Sequence, residues 1–403
     1  MTNPRLLIIL NRFVIGGQAV DTIPLAYYLK NDFEILIIYG EKEIDEIEPV
    51  FLLQKYEGLT LKKIKELKRS INPFTDVFAF IKILSVVLNF KPDIVHTHGA
   101  KTGILGRLAA FFCRVPVIVH TFHGHFFHSY FSKGMSSLVA AVERGMTQIT
   151  TAVVALSEMQ RQDLVDVFKV VSNEKLQIIP LGFDALTKEE PHIYRERFRK
   201  TYALDEDVVA IGIVGRIVAV KNHQLFLRIA EKILAGKPSS RLAFFIIGDG
   251  DLRPFLEQYL IKKKIAYSTD KYSDTKKIIF TSWLTNMEEI MNGLDIVALT
   301  SLNEGTPLTL IEAQYFQKPV VCTNVGGVKD TIEDQKTGFL VESENVDAFV
   351  DKLNILIENK ALRQLMGSAG KELVTKKFSK QNEVSAYRHF YFSLLNKKKF
   401  FNN

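Results

Sequence analysis

Cysteine is nearly missing from this chain of 403 residues: there are two, Cys113 and Cys322, far apart and without metal-ligand spacing. That excludes a disulfide-stapled scaffold and a zinc module built on Cys pairs, and both thiols read as buried small side chains in a reducing compartment. No HExxH is present. Residues 5–10, RLLIIL, are too short for a secretory core and no small-residue cleavage site follows, so no leader is expected. The longest apolar stretch with few charges, 74–90, is broken by Asp76 and Lys82. It falls short of the roughly 18 uncharged residues of a membrane span, so none is expected. There is no short-period repeat and no aromatic and basic platform, and nucleic acid is not an expected partner.

What is present fits a folded protein of two cores. Hydrophobic residues make up 47% and charged residues 24%, and the length exceeds what one ordinary core organises. The formal net charge is +7, with lysines clustered at 62–69 (KKIKELKR) and 397–399. Such clusters meet anionic partners or simply keep a surface soluble.

Short apolar runs alternate with longer amphipathic ones. In the first half, strands are expected at 5–10, 34–39, 93–96, 116–120, 151–156 and 177–180, with helices over 18–30, 74–90, 101–113, 134–148 and 158–168. A charged linker running into a short helix (184–207) separates these from a second series. There the strands are 208–214, 242–247, 278–280, 295–299, 319–322 and 338–341. The helices are 221–235, 251–263, 285–292, 307–317, 326–333 and 346–358. Buried strands joined by helices mean parallel sheets, here two doubly wound α/β domains in series. The expected limits are 1–183 and 184–378, followed by an aromatic, Lys-ended helix in 379–403.

Ligands bind such sheets just beyond the carboxyl ends of the strands. Gly16-Gly17 follow the first strand at a helix start, where glycine admits close approach and the helix attracts anions; a plain tight turn reads the same way. His98 follows the 93–96 strand, where a helix-capping loop is the simpler reading. His120, His123, His125 and His128 surround the end of the 116–120 strand. A zinc site lacks a convincing fourth ligand there. One histidine that donates a hydrogen bond or relays a proton is the better reading, and His123 is favoured because it follows the strand and precedes a glycine. Arg216 and Lys221 flank the turn after the 208–214 strand, a pairing suited to a diphosphate. The Gly248-Asp249-Gly250 turn lacks the third glycine of a dinucleotide fingerprint, and Asp251 reads as a helix cap. After the 295–299 strand comes EGTPLTLIE, 304–312. Thr306 is expected to cap a helix with Pro307 at its first position. Glu304 lies in the loop with the amides of Gly305, Thr306 and Leu308 nearby, and Glu312 follows on the helix. Two carboxylates so spaced suit sugar hydroxyls, although a loop acid and a solvated helix acid would look alike.

Taken together these blocks resemble the family-four glycosyltransferases. Arg216 with Lys221, GDG at 248–250, EGTPLTLIEA at 304–313, PVVCTNVGG and TGFLV within 319–341 are similar to the family's carboxyl-terminal domain. IGGQ at 15–18, HTHGAKTG at 96–103 and HTFHGH at 120–125 resemble its amino-terminal half, so the resemblance runs nearly the full chain. It implies the GT-B fold, two Rossmann-like domains facing across a cleft with a last helix returning to the first. It implies transfer of a hexose from a nucleotide sugar, UDP-linked, with retained anomeric configuration and no metal or cofactor. Arg216 and Lys221 would hold the donor diphosphate, Glu304 and the amides after it the donor sugar, and Glu312 the ribose. Gly16 and Gly17 would lie near the diphosphate and His123 near the transferred sugar. Where many relatives have Leu-Gly before the loop that meets the nucleobase, this chain has Ser282-Trp283, which leaves the base contacts open.

The resemblance also implies a lipid-linked or polysaccharide acceptor on the first domain and work in cell-surface glycan synthesis. The expected location is cytoplasmic, at the inner face of the cell membrane. The basic 62–69 run and apolar 74–90 stretch fit peripheral attachment to an anionic surface, or else 74–90 is a core helix. Two other functions fit the fold: a UDP-sugar epimerase and a catalytically silent nucleotide-sugar-binding protein. The Glu304/Glu312 spacing with Arg216 and Lys221 argues against the first, and the presence of Glu304, Arg216, Lys221 and His123 argues against the second.

Overall fold

The computed structural model describes residues 3–43, 46–123, 133–184, 189–236 and 241–401. Chain contacts divide the protein into two compact units: Met1–Asp184 with Phe378–Asn403, and Ala185–Lys377.

The first unit is built on a seven-stranded sheet, all pairings parallel: β1 (Arg5–Arg12), β2 (Glu34–Gly40), β3 (Thr60–Ile64), β4 (Ile94–His98), β5 (Val117–Thr121), β6 (Ala152–Ala155) and β7 (Leu176–Ile178). The spatial order is β3-β2-β1-β4-β5-β6-β7. Alternation along β1 sorts the core onto two faces. Leu6, Ile8 and Leu10 pack with Ile23 and Ala26 of the helix Gly17–Leu29 and with Tyr387, Tyr391 and Leu394 of the last helix, Lys380–Phe401. Leu7 and Ile9 pack on the other side with Ile83, Val86 and Val87 of the helix Pro73–Phe90 and Ala109 and Ala110 of the helix Ala100–Phe112.

The second unit repeats the plan with β8 (Val209–Val214), β9 (Leu242–Ile247), β10 (Tyr267–Ser268), β11 (Ile278–Ser282), β12 (Ile296–Leu299), β13 (Val320–Thr323) and β14 (Gly338–Val341), in the order β10-β11-β9-β8-β12-β13-β14. β8, β9, β12 and β13 are buried throughout, which explains their unbroken apolar runs.

One local expectation is corrected, and two stretches are defined more closely. The stretch 326–333 is not an α-helix but a 3-10 turn, Gly326–Asp330, because Gly326 adopts a left-handed backbone (φ 49°). The 62–69 lysine run is in part an edge strand, β3, whose one fully buried residue is Ile64; lysines at an edge oppose unwanted strand pairing. The 74–90 stretch buries one face only, Ala79, Ile83, Val86 and Val87, and Phe74, Val77, Phe78 and Ile81 are exposed. With a mean hydropathy of 1.6, the 18-residue helix Pro73–Phe90 has the length and composition to cross a bilayer, more than its two charges suggest.

Candidate active site

In the second unit β8 and β12 lie side by side, β8 continuing to β9 on one side and β12 to β13 on the other. The space beyond their carboxyl ends is the switch point of the sheet. The segment after β8 makes a 3-10 turn, Ala219–Lys221, and then Asn222 takes a left-handed backbone (φ 49°) to start the helix His223–Ala235. This brings the Lys221 ammonium 2.6 Å from Oε1 of Glu304, which follows β12. Ser301 donates its hydroxyl to the same oxygen at 2.6 Å. Both contacts fall on Oε1, so Oε2 of Glu304 is the oxygen left without a hydrogen bond among the described residues. The buried hydroxyl of Thr300 donates to the carbonyls of Asn222 (3.0 Å) and Lys221 (3.2 Å), and the amide of Leu302 donates to Val220 (2.8 Å). The two loops are therefore locked to each other, and the Lys221–Glu304 pair sits on a rigid base.

Arg216 is half-buried at the same strand end. Its backbone is fixed by the Gly-Asp-Gly turn: Gly215 donates to Ile247 and Ile217 to Asp249, both at 2.9 Å. A Cβ on Gly248 (φ 133°) would stand 2.1 Å from the Gly215 carbonyl oxygen. The motif is thus a close-packing turn that shapes the Arg216 loop. Asp249 accepts from Ser282 and Arg253, both at 2.7 Å. Burial opposes its charge, but the Ser282 hydroxyl, the Gly250 amide and Arg253 hold its carboxyl below the usual range. Ser282 has a left-handed backbone (φ 57°), a conformation glycine takes more readily. The Asp249 network is what anchors serine there.

The helix that follows Glu304 begins at Leu308 with Pro307 as its N-cap and no side-chain cap. Thr306 does not cap it; its hydroxyl is buried and makes no hydrogen bond among the described residues. Asp251 does not cap its helix either, which starts after Leu252 with no side-chain cap. Gly305 and Thr306 stay half-exposed beside Glu304. Glu312 is buried, 5% exposed, rather than solvated. His223, next to Lys221-Asn222, is buried with both ring nitrogens unbonded among the described residues. Burial first, then Lys221, pushes its pKa down to about 3.

In the first unit the switch point lies between β1 and β4. Gly16 and Gly17 are exposed at the start of the helix Gly17–Leu29, which has no side-chain cap and no acid in its first turn, and a Cβ on either meets nothing within 4 Å. An uncapped helix start leaves amides open to an anion. Beside it, His98 at the end of β4 shares a 2.6 Å hydrogen bond with His123, Nδ1 to Nε2. His96 is clamped between Tyr391 (2.6 Å) and Thr121 (2.7 Å), and His120 bonds Thr97 (2.8 Å). His96 is pushed to about 3, chiefly by burial and then by His123; burial also holds His98 and His120 well below the ordinary value. Burial lowers His123 against the pull of Asp21. The cluster is a set of neutral imidazoles at pH 7. Gly103 lets the helix Ala100–Phe112 close over it, since a Cβ there would lie 2.6 Å from the His120 ring. His125 and His128 lie outside the described residues. Among the described residues no group of three or more His, Cys, Asp or Glu is placed to hold a metal ion.

Comparison with known proteins matches residues 194–373 to the family model described as Glycosyl transferases group 1, and residues 15–185 to the one described as Glycosyltransferase Family 4. The chain belongs to the family 4, group 1 glycosyltransferases. It is a retaining glycosyltransferase, and the two doubly wound units are those of the GT-B fold. Over 333 residues the glycosyltransferase is 29% identical to the Escherichia coli UDP-Gal:alpha-D-GlcNAc-diphosphoundecaprenol alpha-1,3-galactosyltransferase, covering 82% of this chain and 83% of that one. It is 25% identical to the Staphylococcus aureus capsular polysaccharide biosynthesis glycosyltransferase CapM, over 82% of this chain and 84% of the other. Among solved structures, Anabaena HepE in complex with UDP and glucose superposes with a TM-score of 0.79 at 17% identity, over 96% of this chain and 100% of that one.

Sequence reasoning placed Arg216, Lys221 and Glu304 just beyond the strand ends of the second unit; the structure brings Lys221 and Glu304 together and sets Arg216 in the loop after β8. It missed Ser301 and Asp249, which hold these loops in shape, and assigned His98 to a loop. The signal for Ser301 was available: it immediately precedes the loop of Glu304 at the end of a buried strand.

Proposed function

We propose that the protein transfers a hexose from a UDP-sugar to a lipid-linked or polysaccharide acceptor in cell-surface glycan synthesis. The observation that carries this reading is the 2.6 Å Lys221–Glu304 pair at the switch point of the second sheet, in a chain whose relatives include a UDP-Gal-dependent enzyme. In this reading Arg216 and Lys221 hold the donor diphosphate and take up the negative charge that grows as it leaves. Oε2 of Glu304 accepts from a hydroxyl of the donor sugar, with the amides of Gly305, Thr306 and Leu308 alongside, and Glu312 accepts from the ribose. From the first unit, the open helix start at Gly16-Gly17 serves the phosphate side. His123, neutral and steadied by His98, serves a hydroxyl of the transferred sugar.

Retention follows from attack on the face the diphosphate leaves. The bond from C1 to the phosphate oxygen breaks, the acceptor oxygen bonds C1, and the acceptor proton passes to the departing phosphate. The cations named above supply the charge compensation, so the reading assigns no resident metal or other cofactor. The first unit binds the acceptor, and a lipid-linked one places the enzyme at the cytoplasmic face of a membrane. Product analysis by mass spectrometry, after a thermal-shift screen of nucleotide sugars, tests it. One UDP-sugar should stabilise the protein and yield a glycosylated lipid-linked product. Stabilisation by no UDP-sugar overturns the donor assignment.

A further inference from the structure

We propose that the outer face of the helix Pro73–Phe90, with the end of the helix Ala100–Phe112, is a membrane-docking surface that lies flat in the interface of an anionic bilayer. The inference rests on the reading above only for its biological use; the surface is argued independently. The helix Pro73–Phe90 is apolar on two opposite sides. Ala79, Ile83, Val86 and Val87 fill the core of the first unit. Phe74, Val77, Phe78 and Ile81, at helical spacing on the other side, are each more than half exposed. Ile71, just before the helix, is 86% exposed, and Phe112, 65% exposed, stands edge-on to Phe80. Soluble surfaces scatter such residues singly; gathered over one face they mark a contact with something apolar.

Charge decides what that partner is. Residues 60–91 hold seven Lys and Arg against two acids, Glu66 and Asp76. Both acids are already neutralised, Glu66 by Lys82 at 2.6 Å and Asp76 by Lys101. Lys65, Lys68 and Arg69 precede the patch, and Lys91 and Arg114 follow the two helices; all five are exposed. An apolar face with a basic margin fits acyl chains below an anionic headgroup layer. A bilayer-spanning role does not fit, although the length would allow it, because the opposite face is committed to the core. In the flat arrangement Phe74, Phe78 and Phe112 enter the acyl boundary while the lysines remain among the headgroups.

The test is flotation of the full chain with vesicles of phosphatidylglycerol mixed with phosphatidylcholine, against phosphatidylcholine alone. The wild type should float with the mixed vesicles, and high salt should release it. Phe74→Ser with Phe78→Ser should reduce the bound fraction about tenfold or more. Lys68→Glu with Arg69→Glu should also weaken it. These positions are exposed, so far-UV circular dichroism, the melting temperature and slow donor hydrolysis without vesicles should not change. Equal flotation with both vesicle types, flotation untouched by the Phe pair, or a dimer that forms through this face in place of flotation each overturns the proposal. Flotation without sugar transfer leaves the docking surface standing and removes the proposed function; transfer without flotation does the reverse.

Discussion

Lys221 and Glu304 stand 83 positions apart in the chain and meet at 2.6 Å. Each is only partly exposed, so the pair gains more from its neighbours than a surface ion pair would. If they bind the donor, Glu304→Gln or Lys221→Ala should lower kcat/KM by about 100-fold or more, measured as release of UDP. Ser301 touches only Glu304 in this group and acts by positioning it. Ser301→Ala should lower the rate about tenfold, the worth of one charge-assisted hydrogen bond, and Ser301→Thr should restore part of it. The melting temperature separates these effects from unfolding. At this scale the sequence was informative where chemistry-bearing residues directly follow a buried strand, as Arg216, Lys221, Glu304 and His123 do. It was silent where the role is to hold another residue. Asp249 carries no pattern of its own, and its partner Ser282 comes from another strand, β11.

Elements show the same division. Buried parallel strands declare themselves by unbroken apolar runs, and their order follows from the helices between them. The helix Lys360–Lys377 was missed because its buried face is made partly of Gly367 and Gly370 rather than large apolar residues, so no helical hydrophobic period is visible. A Cβ on Gly367 would lie 2.0 Å from the Gln317 carbonyl oxygen; the small residues are there for close approach. The last helix is tied down by charge as well as by its aromatics. Lys380, fully buried, binds Asp21 of the helix Gly17–Leu29 at 3.0 Å and pairs with Glu383, which also accepts from the Gly182 amide at 3.0 Å. Lys380→Met leaves two buried acids without their cation and should cost about 3–5 kcal/mol, a fall in melting temperature of roughly 10 °C by calorimetry. The histidines on β4 and β5 predict a pH dependence. His96, His98 and His120 are lowered in the folded state by burial, so the unfolded chain binds more protons below pH 6.5. Their contribution to stability is complete above that pH and is lost as pH falls below it, for His96 down to about 3. Each adds a slope of up to about 1.4 kcal/mol per pH unit. Denaturant melts from pH 7 to pH 4 should show it, and His96→Gln should flatten it.

At the scale of the whole molecule, the two sheets share one strand plan, and each keeps its candidate residues at its own switch point. That plan was legible because both series alternate strand and helix in the same way. The exposed face of Pro73–Phe90 was not, since an apolar helix reads alike whether one of its sides or both are buried. A nucleotide that binds the folded chain and not the unfolded one must stabilise it, and UDP at about 100 times its Kd should raise the melting temperature by about 5 °C. Glu304→Gln should keep most of this shift, because Glu304 is assigned to the sugar; Lys221→Ala should lose much of it. The most direct measurement of the central claim is UDP release from a panel of UDP-sugars by the full chain, run beside Glu304→Gln and Lys221→Ala proteins of unchanged melting temperature. The account predicts slow release from one donor that both substitutions abolish. Release that survives both substitutions, or no release and no binding across the panel, would contradict it.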